Sequence, residues 1–244
     1  MTKAAEAVRI SMWSGPRNIS TAMMRSFSSR PECRVVDEPF YAYYLSKTGL
    51  LHPMREEVIA SQPIDWRIVA NDLNAPLPEG KSLYIKHMTQ HMLDEVDLGI
   101  FCAHRNVFLI RDPKRVIASY AAKWDRISTD DIGIKRQTEI FEEIRKLTGS
   151  PVPVVEAEDI LKNPEATLKK LCVALDIEWR AEMLGWPKGR HPEDGIWSDH
   201  WYASVEASTG FSPYEEREIT LSPEQTELLE EQIPYYEELR HYKI

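Results

Sequence analysis

The chain has 244 residues, 43% hydrophobic and 28% charged, which is enough for one large domain with a full core. A formal net charge of −9 argues against broad binding to nucleic acid or to an anionic membrane face, since both need a basic surface. Three widely spaced cysteines (Cys33, Cys102, Cys172), no apolar signal core in Met1-Thr2-Lys3-Ala4-Ala5-Glu6-Ala7 and no membrane span predict a cytoplasmic protein with reduced thiols.

Residues 8–12 read as a short buried strand and 19–27 as the helix after it. A second strand, 34–36, ends at Asp37-Glu38-Pro39. Weaker helical stretches rich in aromatics, among them Tyr41, Tyr43, Tyr44 and Trp66, fill 40–73. Pro76-Leu77-Pro78-Glu79-Gly80 is a turn, leading to a third strand over 82–85 that stops at Lys86-His87. Residues 106–110 form the fourth strand. Asp112 as N-cap and Pro113 at the first helical position then start a helix. An amphipathic helix over 138–148, a fifth strand over 152–155 and a helix over 164–175 capped by Asn163 follow. Ser222-Pro223-Glu224-Gln225 fits a capping box and opens a terminal helix. Alternating strands and helices predict the α/β class: a three-layer α/β/α arrangement on a mostly parallel central sheet. No repeat, low-complexity run or linker divides the chain, so residues 1–244 read as one domain.

Two strand ends suit an anion. The first is the turn Ser14-Gly15-Pro16-Arg17-Asn18-Ile19-Ser20-Thr21, and the second is Arg111-Asp112-Pro113 with Ser119 eight positions after the arginine. Each joins a hydrophobic strand to a helix start, where unpaired N–H groups and the positive dipole end favour negative charge. In open α/β sheets these turns share the carboxyl edge of the strands, where ligands bind. The common nucleotide loop requires glycine, four residues, then Gly-Lys-Ser/Thr. This chain has Gly15 but no Gly-Lys pair, with Arg17 as the cation, which weakens a magnesium-nucleoside-triphosphate reading.

These segments resemble the sulfotransferases that use 3′-phosphoadenosine 5′-phosphosulfate (PAPS). Arg17-Asn18-Ile19-Ser20-Thr21 is similar, in register, to that family's Lys/Arg-Ser-Gly-Thr-Thr loop, with Asn18-Ile19 standing in place of Ser-Gly. Arg111 and Ser119 match the type and spacing of the family's arginine and serine. Ala157-Glu158-Asp159-Ile160-Leu161-Lys162-Asn163-Pro164 resembles a Tyr-Glu-Asp-Leu stretch followed by Asp-Pro in bacterial members. A bacterial branch shares the Trp-Ser-Gly-Pro-Arg-Asn opening. The resemblance implies a P-loop-like fold, PAPS as donor and 3′-phosphoadenosine 5′-phosphate (PAP) as product. It implies that Ser14 to Thr21 (Ser14, Gly15, Pro16, Arg17, Asn18, Ile19, Ser20 and Thr21) hold the 5′-phosphosulfate, and that Arg111 and Ser119 hold the 3′-phosphate.

Sulfuryl transfer needs a base for the acceptor's proton and positive charge on the departing oxygen. Glu38 resembles the position where several members place a catalytic carboxylate. His87 lies where others place a histidine after a lysine, although their spacing is Lys-Thr-His and here Lys86 and His87 are adjacent. Histidine titrates near neutrality unaided, whereas Glu38 gains from burial against Phe40 or Tyr41. Lys86 is the expected cation. The aromatic segment Trp197-Ser198-Asp199-His200-Trp201-Tyr202 can hold an adenine or line an acceptor pocket. No spacing supports a metal, so none is expected. The acceptor is a small molecule whose identity the sequence leaves open. An ATP-dependent kinase-like phosphotransferase, with Asp37 on magnesium, and a non-catalytic nucleotide-binding module remain as alternatives.

Overall fold

The computed structural model describes residues 7–122 and 127–244, so residues 1–6 of the N-terminal stretch weighed above lie outside it. Five strands form the sheet: β1 (Val8–Ser14), β2 (Cys33–Asp37), β3 (Ser82–Met88), β4 (Arg105–Ile110) and β5 (Val154–Glu156). All pairings are parallel, in the order β2-β3-β1-β4-β5. Such a sheet is covered on both faces, which is why its strands read as nearly unbroken apolar runs.

The helices are α1 (Ser20–Ser28), α2 (Tyr41–Thr48), α3 (Arg55–Ser61), α4 (Trp66–Asn74), α5 (Pro113–Ala121) and α6 (Thr129–Ile132). After them come α7 (Ile134–Thr148), α8 (Ala157–Lys162), α9 (Pro164–Ala174), α10 (Ser198–Trp201), α11 (Ala203–Glu206) and α12 (Pro223–Arg240). Among the described residues, no helix is long and apolar enough to cross a membrane. The expected caps form: Asp112 accepts from the Lys114 amide, Asn163 from the Ala166 amide, and Ser222 with Gln225 closes a capping box.

Strand alternation sorts the sheet's side chains into two cores. Trp13, Leu83, Ile85 and Phe108 pack with Val69 and Leu73 of α4, Phe141 and Ile144 of α7 and Leu239 of α12. Ile10, Met12, Val35 and Tyr84 pack with Met23, Met24 and Phe27 of α1, Ile160 of α8 and Leu168 of α9. Each fully buried Leu, Ile or Phe contributes roughly 1.5–3 kcal/mol, so both layers hold the sheet firmly.

Topology then fixes where a ligand can enter. The chain leaves β1 toward β2 and β3 on one side, then crosses to β4 and β5 on the other. The turns after β1 and β4 therefore diverge, and a crevice opens between the carboxyl ends of these neighbouring strands.

Candidate active site

Both predicted anion turns meet in that crevice. Arg111 Nη1 donates to the backbone oxygen of Arg17 at 2.7 Å, and Arg17 Nε donates to Ser119 Oγ at 2.8 Å. The three residues come from the end of β1, the end of β4 and the second turn of α5. Burial pulls the Arg17 value down, Tyr120 opposes it, and the neighbouring Arg111 adds to the depression. Two guanidinium groups held this close repel each other, and an anion between them relieves that repulsion. Glu158 at the start of α8 holds Arg111 from behind, 3.4 Å from its Nε, and lies 3.8 Å from Arg115 Nε.

Helix α1 supplies the second electropositive feature. Its N-cap is Ile19, whose side chain caps nothing, so the first-turn amides carry no side-chain acceptor. The turn has left-handed backbone at Arg17 (φ 60°) and Ile19 (φ 58°), the latter unusual for a β-branched residue. Pro16, Arg17, Asn18, Ile19, Ser20 and Thr21 line the cavity above the sheet edge, whereas Ser14 and Gly15 do not. Ser14 is fully buried and points its hydroxyl at the His87 carbonyl, 3.4 Å away. Gly15 is needed for close packing: a Cβ there would lie 2.9 Å from the Ile132 carbonyl oxygen.

Beside the turn lies a buried charge cluster. Asp37 and Lys86 are register partners on β2 and β3, so their side chains share a face. Lys86 Nζ donates to Asp37 Oδ1 at 2.9 Å, to Glu38 Oε1 and to the Tyr202 hydroxyl at 2.7 Å. Burial alone would pull Lys86 down, but Asp37, Glu38 and Tyr202 together hold it well above its ordinary value. Glu38 is raised, chiefly by burial, against the pull of Lys86 and with a further push from Asp37. Adjacent residues of a strand point to opposite faces, yet both carboxylates reach Lys86. The left-handed φ of 40° at Glu38 turns the chain and makes this possible.

His87 obeys the alternation and is carried away from the cavity. It is fully buried in the opposite core, stacked on Trp13 at 4.2 Å and edge-on to Phe101 at 4.9 Å. Its Nε2 meets Ser11 Oγ at 3.2 Å, and burial holds its value well below normal. It does not line the cavity that Glu38 and Lys86 line. The direct Lys-His pair cannot place both side chains on one face, whereas a spacing of two would.

A profile of the sulfotransferase domain matches residues 8–242. The chain belongs to the sulfotransferase family. Branched-chain-amino-acid aminotransferase-like proteins 1 and 2 of Arabidopsis thaliana are 34% identical over 238 residues and 32% over 231. Those matches take in 98% and 95% of this chain but 42% and 41% of the plant proteins, so the chain spans less than half their length. The crystal structure of a sulfotransferase from Alicyclobacillus acidocaldarius shares the fold, with a TM-score of 0.53, 11% identity and 97% of each chain covered.

The cavity holds about 1580 Å³, more than the roughly 300–1,000 Å³ of a typical single-ligand pocket. Several of its contacts escaped sequence reasoning. Tyr202 donates to both oxygens of Asp37, at 2.9 and 2.7 Å, and accepts from Trp197 Nε1 at 3.2 Å. Asp37, weighed above as a magnesium ligand, is thereby committed, since it also accepts from Lys86 and from the Gly195 amide at 3.1 Å. His91, four residues past His87, lies on the cavity side with its Nδ1 3.9 Å from Glu38 Oε2. Arg115 donates to the Tyr214 hydroxyl at 2.6 Å and stacks over its ring. Strand parity could have found the His87 problem. The aromatic segment ending at Tyr202 does reach the cavity, through His200, Trp201 and Tyr202, but no local signal announces the bond from Tyr202 to Asp37 across 165 positions.

Proposed function

We propose that this sulfotransferase moves the sulfuryl group of PAPS to a hydroxyl or amine of a small acceptor, releasing PAP. The observation that carries the proposal is the convergence of Arg17, Arg111 and Ser119 beside the uncapped start of α1. Two anion-binding features sit side by side, as a nucleotide with separate 3′- and 5′-charges requires. Arg111 and Ser119 hold the 3′-phosphate. The amides of Ile19 to Thr21, with the Ser20 and Thr21 hydroxyls, hold the 5′-phosphosulfate. Arg17, already in contact with Ser119, bridges the two positions. Phe211, Trp186 and Tyr214 line the Arg115 end of the cavity and supply aromatic faces for the adenine.

In the transfer, the acceptor oxygen or nitrogen forms a bond to sulfur while the bond from sulfur to the bridging phosphate oxygen breaks. PAP departs with the electron pair of that bond. Lys86 offsets the charge growing on the leaving oxygen. Glu38 takes the acceptor's proton, since its raised value and its place on the cavity wall suit a base. Placement and preorganised charge supply most of the rate, as in phosphoryl transfer. The test is thermal shift with PAP in the absence of magnesium, followed by detection of PAP released from PAPS. Stabilisation by ATP only with magnesium, and none by PAP, would replace this reading with a kinase-like one. Tight PAP binding without PAPS turnover for any acceptor would leave a binding module.

A further inference from the structure

Charge around the cavity is uneven. Arg17, Arg111 and Arg115 gather where the turns after β1 and β4 meet, whereas Asp130 and Asp131 act on Tyr44, and Asp131 also on His52. Lys135 and Arg136 line the cavity too, with Arg136 paired to Asp94 and Glu139. Tyr41, Tyr44, His52 and His91 form a patch of four rings on the cavity wall. Tyr41 stacks on His91 at 4.5 Å, Tyr44 lies 4.9 Å from His91, and His52 is within 6.0 Å of both tyrosines. The Tyr41 hydroxyl meets His52 Nδ1 at 2.9 Å. Burial holds both imidazoles below their ordinary values, so the rings are uncharged near neutrality. Asp131 and Asp130 raise Tyr44 after burial does, which marks their negative field at these rings. Asp130 makes no ion pair among the described residues. Neutral ring faces backed by carboxylates attract a cation and offer nothing to an anion.

A second, independent feature points to a ligand at the same wall. His91 is 5% exposed, and its Nδ1 has no hydrogen-bond partner. Glu38 Oε2 lies 3.9 Å from it, too far for a direct bond. One hydroxyl oxygen about 2.8 Å from each atom fills that gap with normal hydrogen-bond lengths. A buried polar atom left unpaired is costly, so the gap is a natural seat for the acceptor's reacting group.

From these two features we infer that the acceptor is a cationic alcohol, whose hydroxyl sits between Glu38 and His91 and whose ammonium group rests on Tyr44 and His52 near Asp130. This rests on the sulfuryl-transfer reading. The hydroxyl oxygen bonds to sulfur, its proton passes to Glu38, PAP leaves, and the product is a zwitterionic sulfate ester. The ammonium nitrogen carries no lone pair and is not the nucleophile.

The test compares choline with 3,3-dimethylbutan-1-ol, which has the same shape but carbon in place of the charged nitrogen. Binding of each is measured by ligand-observed NMR, with and without saturating PAP. The expected result is a preference of roughly tenfold for choline. The preference should shrink to about twofold in Asp130→Asn and in Tyr44→Leu, two variants whose folding is checked by thermal melting. Equal binding of the two probes, or a preference that survives both substitutions, overturns the cation site. PAP affinity measured on the same samples separates the two readings. Retained choline preference without PAP binding removes sulfuryl transfer but keeps the cation site, and the reverse outcome removes the cation site alone.

Discussion

Replacing Lys86 with methionine tests the buried cluster most directly. The side chain is 2% exposed and neutralises two neighbouring carboxylates, Asp37 at 1% and Glu38 at 11%. Methionine keeps the length and packing but leaves Asp37, Glu38 and Tyr202 facing an uncharged neighbour. Removing one partner of a buried pair costs about 3–5 kcal/mol. For a chain of this size each kcal/mol lowers Tm by roughly 2–4 °C, so the variant should melt on the order of 10 °C lower at pH 7. The deficit must also depend on pH. Without the lysine, buried Glu38, already raised, is raised further above its unfolded value near 4. Stability from a raised carboxylate is fully present below the unfolded pKa and is lost as pH rises through the folded one. The gap between wild type and variant should therefore narrow toward pH 4 and widen toward pH 7. Urea unfolding across that range is the assay, with Lys86→Met/Asp37→Asn expected to recover part of the loss. A deficit independent of pH, or one below about 1 kcal/mol, would show that the lysine does not neutralise these carboxylates as described.

Arg111→Ala should bind PAP about 10- to 100-fold more weakly while leaving affinity for adenosine 5′-phosphosulfate nearly unchanged, the loss of one or two charged hydrogen bonds; calorimetric titration with both nucleotides checks it. Glu38→Gln should slow transfer by about 10²–10⁴-fold, whereas His87→Gln should stay within tenfold while losing stability, as steady-state rates and melting curves would show. His104, buried between Ser11 Oγ at 2.8 Å and Asn74 Oδ1 at 3.1 Å, is pulled down to about 4, chiefly by burial. A depressed histidine stabilises the fold above its unfolded value near 6.5 and loses that contribution as pH falls toward the folded value, here about 3 kcal/mol between pH 6.5 and 4. Acid unfolding of His104→Asn that is as steep as wild type would contradict this.

The strands were legible because a parallel sheet covered on both faces writes its core as short apolar runs. All five appear, with β5 at Val154–Glu156, slightly later than the 152–155 read from the sequence. The helix expected over 138–148 begins earlier, at Ile134, because Gly133 turns the chain at φ 74° directly out of α6. At the site, residues adjacent in sequence diverged for reasons of geometry. Lys86 and His87 sit on opposite faces because β3 keeps its alternation, while Asp37 and Glu38 converge because β2 has ended and Glu38 adopts a positive φ. His91 and Tyr202 lie in a short 3₁₀ turn and beyond the end of α10, where no periodicity marks a buried polar side chain.

The turn after β1 carries the same lesson in its backbone. Asn18-Ile19 in place of Ser-Gly removes the residue that would adopt a left-handed conformation freely. Ile19 nevertheless holds φ at 58°, a conformation that costs an ordinary residue roughly 1–2 kcal/mol. Its side chain packs against the core around Met23 and Met24, which offsets part of that strain. Asn18 Nδ2 ties the preceding residue to the Leu109 carbonyl at 3.2 Å. Strain retained at one turn, supported by packing on one side and a hydrogen bond on the other, indicates that the open first turn of α1 is what the surrounding structure maintains. The glycine is dispensable here because tertiary contacts impose the conformation that glycine would only have permitted.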